Sequence, residues 1–243
     1  MASQWQNFLR NLGEWRGSFT RVNTAGELGQ STPSILSLES AEEDRLVRFR
    51  LRRFGSGGYA GEPISDNRED YRSLGRQVVF FACGTFCKGT LQVAPGTPFG
   101  GEFGFIDGDR RHRLVQLHNA AGALDGLVLI RETRTGTEAL ERPPLEPEQL
   151  LGAWRGEAAT ITADWPEPTV VPSQRDLGGE WAEGLCLLPD GGFCRLPERI
   201  SHREPFTLEG GWLSAPGQLD LLIRRYDGTG AWQSATLERL TSA

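Results

Sequence analysis

The chain has 243 residues, of which 38% are hydrophobic and 24% charged, and its net charge is −6. That composition supports a packed core, lies outside the apolar-poor range of disorder, and lacks the basic footprint of a nucleic-acid-binding protein. No run of about 18 apolar residues predicts a transmembrane segment, and the opening MASQWQNFLRNLGEW lacks the layout of a signal peptide, so a cytoplasmic protein is expected.

The first segment, WQNFLRN, reads as a short amphipathic helix leading into LGEWRG at 12–17. Apolar and polar residues then alternate over short stretches broken by glycine and turn residues, the signature of β-strands. The strand candidates are GEWRGSFTRV, residues 34–38, RLVRFRLRRF, RQVVFF, TFCKGTLQV, EFGFI, RRHRLVQL and GLVLIRETR. About eight sequential strands joined by turns such as Ile106-Asp107-Gly108-Asp109 suit an up-and-down barrel. ERPPLEPEQLL follows as a proline-rich linker with one helical turn after Pro147.

A second phrase, LGAWRG at 151–156, repeats five of the six earlier residues and again follows a short helical segment. The ends of the two halves also correspond, since RLVQLHNAAGALDGLVLIRE and DLLIRRYDGTGAWQSATLER each read as strand, glycine turn and strand. We therefore expect a duplication: a complete barrel over 1–140, a linker over 141–150 and a shortened barrel over 151–243. About six strands are expected in the second copy, because TADWPEPTVVPSQRDLGGEWAEG carries three prolines and paired glycines that oppose strands. Its closure is accordingly in question.

The repeated motif has a structural reading. Gly13 and Gly152 let the chain approach closely, Trp15 and Trp154 plug the two barrel floors, and an arginine from each closing strand lies on the indole, Arg131 in the first copy and Arg239 or Arg224 in the second. A GxW on the first strand after a short helix, with about eight strands and a late arginine, resembles the lipocalins and their calycin relatives. The strings FGGEFGFIDGDRRHRLVQL, LERPPLEPEQLLGAWRGEA, LEGGWL and LLIRRYDGTGAW are similar to a two-domain calycin family of cyanobacteria and plastids, a domain of unknown function. The resemblance implies an all-β chain of two tandem antiparallel barrels, the second abbreviated. The implied function is binding of a small apolar or amphipathic ligand, such as a tetrapyrrole, lipid or pigment.

Candidate site residues follow from the strand faces. In RLVRFRLRRF, Val47, Phe49 and Leu51 share one face and Arg48, Arg50 and Arg52 the other. With the apolar set inward, which is the commoner arrangement, the arginines form a solvated outer face. With the arginines inward, or clustered with Arg111 and Arg113 at the rim, they would suit the carboxylates of a ligand such as a bilin. His112 shares a face with Leu114, Gln116 and His118, from which it could reach a cavity and even ligate a haem iron, although a partly exposed strand histidine is the commoner case. No motif calls for a cofactor or metal, and the three histidines sit in no recognised catalytic context. The four cysteines are expected as buried thiols, with a Cys83–Cys87 cross-strand disulfide as the alternative. A chromophore-delivering lyase, or an assembly protein that binds a protein partner through open sheet edges, are the alternative functions.

Overall fold

The computed structural model describes residues 2–138 and 141–243, so the expected boundary at residue 140 lies outside the described residues. Two antiparallel sheets account for nearly all regular structure. The first has nine strands: β1 (Gly13–Val22), β2 (Leu28–Ala41), β3 (Leu46–Phe54), β4 (Pro63–Tyr71), β5 (Val78–Phe80), β6 (Phe86–Gly89), β7 (Phe99–Asp107), β8 (Arg110–His118) and β9 (Leu124–Arg134). The second has seven: β10 (Gly152–Thr162), β11 (Thr169–Leu177), β12 (Leu185–Leu187), β13 (Gly192–Arg195), β14 (Phe206–Ala215), β15 (Gln218–Tyr226) and β16 (Trp232–Ser242). No helix among the described residues is long and apolar enough to cross a membrane.

The sheet orders make the duplication explicit. The first runs β4-β3-β2-β1-β9-β8-β7-β6-β5 and the second β11-β10-β16-β15-β14-β13-β12, so deleting β3 and β4 from the first reproduces the second. The shortened centre of the second copy is therefore two missing strands. Neither sheet joins its two outer strands by hydrogen bonds. In the first, helix α1 (Gln4–Leu9) lies at the seam between β4 and β5. Phe80 N–H donates to Gln4 Oε1 at 2.7 Å, and Asn7 Nδ2 donates to the Phe80 carbonyl at 3.1 Å. Phe8, Trp15, Leu36, Val47, Leu51 and Phe86 pack together inside this first barrel.

Two strands differ from the sequence expectation. PISDNREDY forms β4, and TVVPSQRDL forms β11, making nine and seven strands where about eight and six were expected. Both are outer strands, mostly exposed, so neither needs apolar alternation, and Pro172 is tolerated in β11 because an outer strand leaves one set of backbone groups unpaired. Cys87 faces Val79 across the β5–β6 pair while Cys83 lies in the turn, so the alternative Cys83–Cys87 disulfide is replaced by free thiols.

The largest core lies between the sheets. Phe99, Phe103, Phe105, Leu114, Leu127 and Leu129 of β7–β9 pack with Leu208, Trp212, Leu222, Tyr226, Trp232 and Leu237 of β14–β16. Strands β7–β9 are thus buried on both faces, one toward the first barrel's interior and one toward the second sheet.

Each glycine of the repeated motif has a distinct task. Gly13 and Gly152 adopt φ of +123° and +112°, which side chains rarely allow. Gly17 and Gly156 lie against the closing strands, where an added methyl would overlap the carbonyl oxygens of Arg131 and Arg239. Gly17→Ala is therefore expected to cost about 3 kcal/mol, whereas Gly178→Ala, with open space around it, stays within about 0.5 kcal/mol. Urea unfolding of both variants checks this.

Candidate functional site

Trp15 is fully buried, and its indole N–H donates to the Asn11 carbonyl at 2.9 Å; Trp154 repeats the arrangement with Leu150 at 2.8 Å. The arginine partners differ from expectation. Arg134, paired in register with Trp15, lies 4.3 Å from the ring centroid, and Arg111 lies 4.4 Å from it. Arg131 is three residues from Arg134, so strand alternation puts it on the opposite face, where it pairs with Glu141. In the second copy Ser242 stands opposite Trp154, Arg239 pairs with Asp220 at 3.2 Å, and Arg224 lies 4.5 Å from the Trp232 ring centroid. Arg175 stands opposite Trp154 on β11 but turns to Glu238, with bonds of 2.8 and 2.7 Å, and no described arginine stacks on the Trp154 ring.

The β3 alternation is resolved with Val47, Phe49 and Leu51 inward. Arg48 is exposed, Arg50 grips Asp66 through two bonds of 2.8 and 2.9 Å, and Arg52 reaches Glu14 at 3.2 Å. These three arginines stand on the outer face. Arg111 and Arg113 face inward from β8 and line the interior cavity. His112 points the other way, into the core between the sheets, where it stacks on Trp212 with centroids 5.8 Å apart. The face it shares with Leu114, Gln116 and His118 is this inter-sheet face, so the histidine does not reach the barrel cavity. Burial, followed by the positive charges of Arg131, Arg110 and Arg142, pushes its pKa down to about 3.

The cavity measures about 180 Å³ and lies beside the α1 seam, lined there by Phe8 and Asn11. One wall is apolar, with Leu36, Leu38, Phe49, Phe80 and Phe86. The other carries Lys88, Glu102, Arg111 and Arg113. Glu132, whose side chain is fully buried, accepts from Arg111 Nε at 2.7 Å and from Arg113 at 3.0 Å, while Glu102 accepts from Arg113 at 2.8 Å. Burial alone would raise the Glu132 pKa, but Arg111 and Arg113 outweigh it and hold the carboxyl below its ordinary value. Two buried polar atoms at this site have no partner among the described residues: Arg111 Nη2, a donor, and Asn11 Oδ1, an acceptor.

The second copy has leucines where the first has its central ion pair. Glu132 stands opposite Gly17 and Arg111, and the matching positions opposite Gly156 are Leu240 and, beside it, Leu219. The sequence reading missed Lys88, Glu102, Glu132 and Asn11. A carboxylate alternating with apolar residues in GLVLIRETR was the available signal for Glu132.

Residues 1–137 match the profile of the N-terminal part of a domain of unknown function, DUF3598, and residues 141–183 and 176–240 match the C-terminal domain of biogenesis factor required for ATP synthase 1. A crystal structure of a DUF3598 protein of unknown function from Nostoc punctiforme is 34% identical, with full coverage of both chains and a TM-score of 0.86. The S-type phycobiliprotein lyase of Guillardia theta is 15% identical over 56% of this chain and 95% of its own, with a TM-score of 0.37. None of the curated proteins matches.

Two predictions follow from the geometry. Glu132→Gln leaves two buried guanidinium groups short of charge and is expected to cost about 3 kcal/mol, whereas the Arg111→Leu/Glu132→Leu pair, copying the second barrel, recovers most of that loss in urea unfolding. His112 is neutral when folded and titrates at the ordinary imidazole value of 6.5 when exposed, so its stability contribution is complete above pH 6.5 and is lost as pH falls toward 3. The loss is about 1.4 kcal/mol per pH unit in that window. Comparing the wild type with His112→Phe at pH 6.5 and about pH 5 isolates this slope, which the variant should lack.

Proposed function

The chain belongs to the DUF3598 family, and from that footing we propose that its first barrel binds a slender apolar molecule carrying a carboxylic acid or hydroxyl head. The observation that carries the reading is the unpartnered pair Arg111 Nη2 and Asn11 Oδ1. A buried donor and a buried acceptor each cost on the order of 1–3 kcal/mol while unsatisfied, and an alcohol, or a carboxyl that keeps its proton, offers both complements at once, whereas a carboxylate satisfies Arg111 alone. The aromatic wall opposite receives the apolar body. Cavity size limits the choice. Sites for drug-sized ligands span roughly 300–1,000 Å³, so 180 Å³ suits a short acyl chain or a single ring better than a whole tetrapyrrole.

A second reading, assembly of a protein complex, is favoured by the match of 141–240 to the C-terminal domain of an ATP synthase biogenesis factor. The outer edge of β11 lies open, with Val170, Val171 and nearby Trp165 exposed, and an unpaired edge accepts a further strand. Size-exclusion chromatography with purified ATP synthase subunits tests it, and the absence of any co-eluting complex counts against it.

For the ligand reading, octanoic and cinnamic acids are expected to bind saturably at one site by calorimetry. Asn11→Ala and Arg111→Met should each weaken binding about tenfold or more, Asn11→Ala leaving the ion cluster intact. Failure of both acids and their alcohols to saturate would sink the proposal.

A further inference from the structure

Strands β12 and β13 place Cys186 directly opposite Cys194. Facing residues of an antiparallel pair have Cα atoms about 4.5 or 5.5 Å apart, within the span of roughly 4.4–6.8 Å that a disulfide bridges. The two side chains therefore lie on the same face of the pair, as neighbours. Both are free thiols, and their surroundings are unequal. Cys194 is fully buried in the core between the sheets. Cys186 is half-buried and lines an open cleft of about 630 Å³, whose other side is the turn Thr24, Ala25 and Gly26 between β1 and β2. A methyl group on Gly26 would come within 3.3 Å of the Cys186 sulfur, so this thiol sits where the two sheets' loops meet.

We propose that Cys186 and Cys194 form a redox-active dithiol that closes to a disulfide by exchange with a soluble disulfide compound such as oxidised glutathione. The Cys186 thiolate attacks one sulfur of the incoming disulfide, forming a mixed disulfide and releasing the first thiolate, which takes a proton. Cys194, giving up its own proton to solvent, then attacks the Cys186 sulfur and releases the second thiolate, which is protonated in turn. Two protein thiols are oxidised, and one external disulfide is reduced to two thiols.

The division of labour follows from position. The attacking thiol must be reached from solvent, and Cys186 is the member that borders the cleft. The neighbouring Cys194 thiol holds the Cys186 pKa below its ordinary value, while the proximity of Cys186 and burial push that of Cys194 up. The resolving thiol needs no solvent path, because the mixed disulfide forms within its reach. Cys83 and Cys87 lack these conditions, since Cys83 lies in a turn and the Cys87 sulfur instead faces Arg224 Nη1 at 3.6 Å. Because β12 is the outer strand of the second sheet, the new bond would tether its free edge to β13.

The test incubates the full chain with oxidised glutathione near neutral pH, blocks remaining thiols by alkylation and maps tryptic peptides. Each cysteine pair falls within one tryptic peptide, so the readings are separate. The peptide holding Cys186 and Cys194 is expected to lose both alkyl labels, and Cys194→Ser should instead accumulate a glutathione adduct on Cys186. Cys186→Ser should leave Cys194 alkylated after denaturation, with no adduct. Retention of both labels on the wild-type peptide, or an adduct on Cys194 rather than Cys186, overturns the proposal.

Discussion

The outer faces of β7–β9 and β14–β16 press together through Phe103, Phe105, Leu114, Trp212 and Leu222, and this contact decides how every other face of the molecule is used. It leaves β8 with no solvated side at all. Polar groups on that strand therefore turn to protein for partners, and Arg111 Nη2, Gln116 Oε1 and both His112 ring nitrogens are left without one among the described residues. Gln116 Nε2 donates to the carbonyls of Arg195 and Glu209 at 3.2 and 3.1 Å, and a ring nitrogen of His118 lies 2.9 Å from the Pro197 carbonyl. On the inward face Arg111 and Arg113 meet the same demand through Glu132 and Glu102. Burial on two sides turns an ordinary alternating strand into one with two specialised surfaces.

The two copies answer a common architectural problem with different chemistry. Both keep the glycine that meets the closing strand and the tryptophan whose N–H is bonded four residues back. Above that floor they diverge. The first holds an ion cluster at the positions where the second holds Leu219 and Leu240. Because well-packed apolar residues often equal or exceed a buried ion pair in stability, the leucines show what packing alone accepts at this place in the fold. The apolar wall of the first cavity includes β3, which has no counterpart in the second sheet, and there Trp181 packs edge-on to Phe193 with centroids 5.9 Å apart.

Much of this was legible in the sequence wherever one physical rule governed a segment. RLVRFRLRRF alternates because one face is apolar and the other wet, and its inward residues are those the pattern indicates. The doubled GxW opens each copy because its glycine, Gly13 or Gly152, takes a positive φ that side chains rarely allow. The strands PISDNREDY and TVVPSQRDL were illegible because outer strands need neither alternation nor freedom from proline. His112 and Arg131 were misplaced for another reason. His112 lies on the face that packs against Trp212 of the second sheet, and Arg131 lies on the face away from Trp15, where it meets Glu141; no local period can tell a cavity from a second sheet. Arg134 was available to the same alternation argument, but only the register that sets it opposite Trp15 distinguishes it from Arg131.

The seam between β4 and β5 is closed by side chains. The nine-stranded sheet lacks a backbone ladder there, and α1 is held by hydrogen bonds from Asn7 and to Gln4 at Phe80, by Trp5 Nε1 donating to the Asp44 carbonyl, and by Phe8, buried against Tyr71 and Phe80. Phe8 and Asn11, at the end of the same helical segment, line the cavity. A change in this short helix therefore reaches the cavity wall and the closure of the barrel together, which ties six residues to the integrity of a sheet they never join.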